Sequence, residues 1–204
     1  MSYNKNFLLY SSPLKRCKVN PFFHWLGKFI LRISGWRVER KFPDISKAVL
    51  IAAHHTSNWD FIIGLMASFV WKIEAFWLAK HTLFRWPLGG FLKWLGGIPV
   101  NRNSSYKIVD QVIEAFQNNE KLLITMTPEG TRKKVEKWKS GFYYIAKGAG
   151  IPIICVFIDY GRKTCGIGPI ITPTDNLETD LNIIRDFYSN VTAKYPEMTG
   201  TIQF

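Results

Sequence analysis

The chain has 204 residues, the length of one domain with a substantial core. It is 47% hydrophobic and 15% aromatic, and its net charge of +12 favours an anionic partner: nucleic acid, an anionic membrane surface or an acidic substrate. Nucleic acid is the weakest of these, because the sequence has no zinc-finger spacing and no ribonucleoprotein motif, and its basic residues are mixed with large apolar ones. We therefore expect a lipid–water interface as the partner and no nucleic acid.

The periodicity of apolar residues predicts strands that alternate with helices along the chain. Such an alternation favours an α/β fold with a mostly parallel sheet flanked by helices, in which ligands bind beyond the carboxyl ends of the strands. The predicted helices cover 22–36, 57–71, 104–119, 140–148 and 176–194. The predicted strands cover 47–53, 75–79, 98–100, 121–125, 153–159 and 164–171, and a Gly/Pro-rich stretch covers 87–97.

The first predicted helix is basic and amphipathic. Phe22, Trp25, Phe29 and Ile33 recur at helical spacing, and basic residues lie on the other face. Such a helix can lie in a lipid interface, and the alternative is that it packs on the protein's own core. We expect residues 1–36 to form a membrane-associating segment that precedes the domain at 37–204.

Cysteine usage and hydropathy predict where the protein works. The three cysteines, Cys17, Cys155 and Cys165, show no metal spacing, and their odd number indicates a reducing compartment. The N-terminus has no apolar stretch of the signal-peptide kind. The longest apolar stretch, 61–71, is about half of the ~20 residues that a membrane span needs. These features predict a peripheral protein on the cytoplasmic face of a membrane.

A histidine and an aspartate stand in the pattern His-x-x-x-x-Asp directly after the strand predicted at 47–53. If a helix begins near Ser57, Asp60 lies in its first turn, and its carboxylate can reach Nδ1 of His55. Nε2 can then take a proton from a bound hydroxyl, so the two residues would be the base and its orienting carboxylate, with the nucleophile supplied by the substrate. The alternative is that His54 or His55 only caps the helix. No third ligand stands at a recognisable spacing, so no metal is expected.

Other polar side chains follow the neighbouring predicted strands and share this edge. The loop after the strand at 121–125 carries a glycine, a hydroxyl and a guanidinium, which suit a phosphate, and Glu129 can order the loop or bind a substrate hydroxyl. Each of these residues is also compatible with a solvated turn or strand end. The candidate substrate-binding residues are Lys80, Arg102, Glu129, Gly130, Thr131 and Arg132.

Four short blocks occur in one order between residues 48 and 156. They are His55-x-x-x-x-Asp60, Gly97-Ile98-Pro99-x-x-Arg102, Pro128-Glu129-Gly130-Thr131-Arg132 and Ile151-Pro152-Ile153-Ile154. In order and spacing they resemble the glycerolipid acyltransferases, whose type members are 1-acylglycerol-3-phosphate acyltransferases. Each block alone is weakly specific, whereas four in order are strongly so.

This resemblance implies a reaction and its site. His55 would be the general base on a glycerol-type hydroxyl and Asp60 its orienter, and the hydroxyl would attack an acyl thioester of coenzyme A or acyl carrier protein without a covalent acyl-enzyme. Arg102, with residues 129–132, would hold the phosphate and polar head of the acceptor. No cofactor is implied. The implied partners are a membrane lipid acceptor, the thioester donor and an anionic membrane surface.

The sequence departs from the family pattern around the third block. Thr127 replaces the usual aromatic or aliphatic residue before Pro-Glu-Gly, and Lys133 and Lys134 follow Arg132 where Ser is frequent. These departures leave the acceptor open. The leading interpretation is acylation of lysophosphatidate to phosphatidate, and the alternatives are a lyso-aminolipid or another lysolipid as acceptor, or a lipid-binding protein without catalysis.

Overall fold

Seven strands and six helices alternate along the residues that this computed structural model describes, which are 14–100, 105–174 and 176–203. Short 3-10 helices cover His81–Phe84 and Pro196–Met198. The strands are β1 (Arg37–Glu39), β2 (Lys47–Ala53), β3 (Ala75–Lys80), β4 (Gly97–Val100), β5 (Leu122–Met126), β6 (Ile153–Asp159) and β7 (Thr164–Ile171). The helices are α1 (Pro21–Ile33), α2 (Asn58–Trp71), α3 (Gly89–Trp94), α4 (Ser105–Asn118), α5 (Gly141–Ala149) and α6 (Leu177–Ser189).

The strands form one sheet in the order β1-β7-β6-β2-β5-β3-β4. Every neighbouring pair is parallel except β6 and β7, which are antiparallel. The predicted α/β fold with a mostly parallel sheet is therefore confirmed. Because β2 lies between β5 and β6 and runs parallel to both, the residues that follow these three strands meet at one edge of the sheet. We call this the carboxyl edge.

Helices cover both faces of the sheet, which explains why β2 is apolar after Lys47. Val49 and Ile51 on one face pack with residues of α4, α5 and α6. Leu50, on the other face, is 2% exposed and packs with residues of the neighbouring strands. Helices α1 and α2 share a separate apolar cluster with Ile158 of β6 and Cys165 of β7. The strand is thus a rigid central support whose end carries the histidines.

Three elements differ from the prediction for local physical reasons. β1 has only three residues and an exposed alternating pattern, too short for periodicity to find. α3 forms within the Gly/Pro-rich stretch, for which no helix was predicted, and Gly89 permits a close approach there: a Cβ at this position would collide with the carbonyl of Phe84. The last helix ends at Ser189, and residues 190–195 continue as a loop to the carboxyl edge.

Helix α1 exposes large apolar side chains although it also packs on α2. Asn20 caps it by accepting a hydrogen bond from the Phe23 backbone N–H at 3.0 Å, and Leu31 is buried against α2. The side chains that point outward are 47–67% exposed, and they are Phe22, Trp25, Phe29 and Ile33. Of the helices in the described ranges, none has the length and apolar character to cross a membrane.

Candidate active site

The histidine pair stands where β2 ends and α2 begins. Ser57 is the N-cap of α2, and it forms a reciprocal capping box with Asp60, in which each side chain accepts from the other residue's backbone N–H. This cap places the Asp60 carboxylate in the first helical turn, where the helix dipole favours a negative charge. The local sequence Ser-Asn-Trp-Asp therefore both starts the helix and aims the carboxylate back at His55.

Four donors surround the buried carboxylate of Asp60. Oδ2 accepts from Nδ1 of His55 at 3.1 Å, from the Thr56 N–H at 2.9 Å and from the Ser57 N–H at 2.8 Å. Oδ1 accepts from the hydroxyl of Tyr160 at 2.7 Å. Burial alone would raise the pKa of Asp60, but the hydrogen bonds from His55, Tyr160 and Ser57 outweigh it and lower the pKa. Asp60 is therefore a stable anion beside the imidazole.

His55 turns its second nitrogen away from this carboxylate. Its side chain is 24% exposed, whereas that of Asp60 is 6% exposed. No residue within the described ranges forms a hydrogen bond with Nε2 of His55. With Nδ1–H donated to an anion, Nε2 carries the lone pair and can remove a proton from a hydroxyl that reaches it. The predicted contact between His55 and Asp60 is thus present in the structure.

His54 faces a second carboxylate, Glu129, in a different electrostatic state. Nε2 of His54 lies 3.1 Å from the Tyr188 carbonyl, and Nδ1 lies 3.8 Å from Oε1 of Glu129. Burial lowers the pKa of His54 and raises the pKa of Glu129 to about 7. Burial therefore disfavours the charged form of each group, and the closest approach between them is 3.8 Å.

Glu129 lies behind the histidines rather than in solvent. It is 7% exposed, and Oε1 accepts from the backbone N–H of His55 at 3.2 Å. Oε2 is buried and bonds no other described residue. This contact ties the loop after β5 to the loop after β2. Of the two roles predicted for Glu129, the geometry favours ordering of the loop over contact with a substrate hydroxyl.

The other predicted binding residues are spread along the carboxyl edge. Gly130 has φ +63°, a conformation that suits glycine. The Thr131 hydroxyl accepts from the Lys133 N–H at 3.3 Å, and the side chain of Arg132 is exposed. Lys80, also exposed, ends β3, and no hydrogen bond or ion pair joins it to another described site residue. Arg102 lies outside the described residues.

Tyr160 belongs to the site although the sequence did not predict it. It follows β6 directly, and β6 is the parallel neighbour of β2, so its side chain reaches the carboxyl edge beside Asp60. The pattern that could have found it is its position after a predicted strand, as for Glu129 and Arg102. A hydroxyl 100 residues from its partner leaves no trace in local spacing.

A cleft of about 730 Å³ opens beside His54 and not beside the dyad of His55 and Asp60. It is bordered by His54, Arg185 and the loop after α6, and His55 is not among its lining residues. Among the described residues no group of three or more His, Cys, Asp or Glu could hold a metal ion. Burial raises the pKa of Cys155 and of Cys165 to about 12, so neither thiol is a competent nucleophile.

Fold and site together define an α/β protein that carries a histidine–aspartate dyad at the carboxyl edge of a parallel sheet. The sequence model of the family described as Acyltransferase matches residues 35–159, more than half of the chain. The chain belongs to this acyltransferase family and is an acyltransferase, as the four blocks predicted.

Comparison of structures adds a fold relationship. The fold is similar to the crystal structure of the 1-acyl-sn-glycerophosphate (LPA) acyltransferase PlsC from Thermotoga maritima, with a TM-score of 0.58 and 19% sequence identity. The match covers 85% of this chain and 80% of that chain. No curated protein matches the sequence.

Proposed function

We propose that the protein transfers a fatty acyl group from an acyl thioester to the free hydroxyl of a lysophospholipid, with 1-acylglycerol-3-phosphate as acceptor and phosphatidate as product. The donor would be acyl-coenzyme A or an acyl carrier protein. The observation that carries this proposal is the 3.1 Å contact between Nδ1 of His55 and Oδ2 of Asp60, which leaves Nε2 available as a base. Membership of the acyltransferase family supplies the reaction class.

The proposed chemistry needs only a base and two substrates. Nε2 of His55 takes the proton of the acceptor hydroxyl as its oxygen attacks the thioester carbonyl carbon. The anionic Asp60 stabilises the imidazolium that forms. When the carbon–sulfur bond breaks, the imidazolium returns its proton to the leaving thiolate, so the products are an ester and a free thiol. No protein nucleophile takes part, which fits the protonated state of the buried cysteines.

The proposed acceptor follows from the cations along the carboxyl edge and from the family. Arg132 is exposed at the end of the loop that Glu129 anchors, and Lys80 is exposed at the end of β3. A guanidinium and a flexible ammonium both suit a phosphomonoester. The family blocks add Arg102 to this set. The structural neighbour from Thermotoga maritima is described as acting on 1-acyl-sn-glycerophosphate, which supports the same acceptor for this chain.

We also propose that the protein binds an anionic membrane surface peripherally, on the cytoplasmic side. A second exposed apolar segment supports this: Trp94 contacts Phe23 of α1 at 5.9 Å between ring centroids, which joins α1 to the segment at 83–94. Basic side chains such as Lys28, Arg32 and Lys93 accompany these rings. Aromatic residues with nearby cations suit a lipid interface. The exposed large apolar side chains of that segment are Leu83, Trp86, Leu88, Phe91 and Trp94.

The reaction is tested by an acyl-transfer assay on the purified protein. Labelled acyl-coenzyme A or acyl carrier protein is offered with lysophosphatidate, neutral lysophospholipids and a lyso-aminolipid, and His55→Ala is run in parallel. We expect transfer to lysophosphatidate that disappears in His55→Ala. Transfer only to an acceptor without a phosphomonoester would replace the proposed acceptor. Lipid binding without any transfer would favour the non-catalytic alternative.

The membrane proposal is tested by flotation with vesicles that contain phosphatidylglycerol. Trp86 is 93% exposed and Trp25 is 57% exposed, so Trp25→Ser combined with Trp86→Ser removes apolar surface without opening the core. We expect vesicle affinity to fall on the order of tenfold or more, because each ring leaves the interface. Tyr144→Ser, at a 52% exposed position of α5, is the matched control and should bind like the wild type. Equal binding by all three proteins would contradict the proposed surface.

A further inference from the structure

The two oxygens of Asp60 are held by different parts of the chain. The three donors to Oδ2, from His55, Thr56 and Ser57, all come from the segment that carries the dyad. Among the described residues the donor to Oδ1 is the hydroxyl of Tyr160 at 2.7 Å, supplied by the turn between β6 and β7. Removal of this hydroxyl would leave Oδ1 without a described partner in a largely buried site.

The ring of Tyr160 is fixed on several sides, so the direction of its hydroxyl is set before any substrate binds. Its backbone N–H donates to the Thr192 carbonyl at 2.9 Å. Its ring meets Trp36 edge to face, with centroids 4.9 Å apart. The ammonium of Lys194 lies 6.0 Å from the ring centroid and also 5.4 Å from that of Trp59. These contacts join the segment between α1 and β1, the loop after α6 and the first turn of α2 around one side chain.

We propose that Tyr160 is a positioning residue for the acyl transfer. Its hydroxyl holds Oδ1 of Asp60 and thereby sets the orientation of Oδ2 toward His55. The same hydrogen bond sets how much negative charge His55 experiences. In its kinetic part this inference rests on the proposed function. The carboxylate of such a dyad must keep the imidazole in one tautomer and one orientation. Held at one oxygen alone, it could rotate about its Cβ–Cγ bond.

The hydrogen bond from Tyr160 to Asp60 also affects the electrostatics at His55, and the direction of that effect can be measured. Burial raises the pKa of the Tyr160 hydroxyl, and its bond to Asp60 raises it further, so the group stays a donor at working pH. Its donated bond also helps to lower the pKa of Asp60. Loss of the hydroxyl would leave more of the carboxylate's charge uncompensated, and the imidazolium of His55 would be stabilised. The other titratable groups that face Asp60 or Tyr160 are Glu129, Lys194 and Tyr195.

The test compares Tyr160→Phe with the wild type in the acyl-transfer assay as a function of pH. We expect kcat to fall on the order of tenfold while KM for both substrates stays within about twofold, because the hydroxyl is directed at Asp60. The acidic limb of the pH–activity profile should move to higher pH by roughly half a unit or more, because the base holds its proton more tightly. Tyr195→Phe, in the same aromatic cluster, is the matched control and should show neither change.

A second readout does not depend on turnover. NMR of the ring nitrogens of His55 in the free protein should show its proton uptake moved to higher pH in Tyr160→Phe. In an Asp60→Asn background the same substitution should move it far less, because the carboxylate that transmits the effect is gone.

The outcomes separate this inference from the proposed function. A lower kcat without a shifted limb, or a titration of the His55 ring that Tyr160→Phe leaves unchanged, would overturn the positioning role and reduce Tyr160 to a structural contact. If the wild type transfers no acyl group to any lysolipid, the proposed function fails, and the NMR titration alone then decides for or against Tyr160.

Discussion

At the end of β2, His55 and His54 lie on two faces of the chain, and each lies near a buried carboxylate. The two histidine–carboxylate pairs differ in charge. On one face, Asp60 receives hydrogen bonds from four donors, its pKa is lowered, and His55 donates to it at 3.1 Å. On the other face, Glu129 receives a hydrogen bond from His55's backbone, its pKa is raised to about 7, and His54 stays 3.8 Å away.

Proximity of a histidine to a carboxylate therefore does not by itself define a catalytic dyad. The number of donors around the carboxylate decides whether it stays ionised when buried. The helix start at Ser57 supplies such donors to Asp60, whereas Oε2 of Glu129 bonds no other described residue. The face with the satisfied anion can stabilise an imidazolium, and the other face orders the loop.

The largest expected effect comes from a substitution in the pair of His55 and Asp60. Asp60→Asn keeps the shape of the side chain but removes its charge, and its amide can donate to Nδ1 and favour the wrong tautomer of His55. We expect kcat to fall by about 10³ to 10⁴. The melting temperature, measured alongside, should show that the protein still folds. Activity within a few-fold of the wild type would remove Asp60 from the reaction.

The next largest effect concerns Glu129 and the pH dependence of its contribution to the stability of the fold. Because the folded-state pKa of Glu129 is raised to about 7 from an ordinary value of 4.5, its contribution to stability is complete below about pH 4.5 and is lost as pH rises toward 7. Glu129→Gln lacks this titration. Relative to the variant, the wild type should lose about 3 kcal/mol of unfolding free energy between pH 4.5 and 8. Urea unfolding of both proteins across this range measures the difference, and a constant difference would contradict the raised pKa.

A smaller effect is expected for Arg132, which belongs to neither histidine–carboxylate pair. Arg132 is exposed and bonds no described side chain in an ion pair, so Arg132→Ala should leave folding and kcat nearly unchanged. It should raise KM for lysophosphatidate on the order of tenfold, because one charge-assisted contact with phosphate is lost. Lys121→Ala, which removes an exposed cation at the opposite edge of the sheet, is the control. Equal KM values in both variants would mean that Arg132 does not bind the acceptor.

The weakest expected effect concerns the membrane surface. Binding to vesicles with phosphatidylglycerol should weaken several-fold between about 0.05 M and 0.5 M salt, since basic side chains meet anionic headgroups and salt screens them. The aromatic contribution should persist at high salt. Flotation at both salt concentrations measures the two parts, and binding that does not change with salt would assign the attachment to apolar insertion alone.

Local features of the chain could be predicted from sequence, and long-range ones could not. The strand at 47–53 agrees with β2, and Ser57 was expected near the start of α2, because an apolar run and a capping residue are local patterns. The contact between Asp60 and His55 follows from that cap. The hydroxyl of Tyr160 could not be predicted, because it reaches Asp60 only through the pairing of β6 with β2.

The opposite pKa shifts of Asp60 and Glu129 could not be predicted from the sequence either. Glu129 was predicted as a substrate-binding residue, in the loop segment Pro128-Glu129-Gly130-Thr131-Arg132. Its burial depends on the packing of the loop after β5 behind His54 and His55, a tertiary contact. The raised pKa of Glu129 comes from this packing and not from any motif.

The central claim, that His55 and not His54 is the base, is tested most directly by a matched pair of substitutions. His55→Gln and His54→Gln are compared for kcat/KM in the acyl-transfer assay. Glutamine at 54 can still donate to the Tyr188 carbonyl, so that variant should fold. We predict a loss of at least about 10³ for His55→Gln and of less than about tenfold for His54→Gln. A larger loss for His54→Gln, or equal losses in two folded variants, would contradict the assignment.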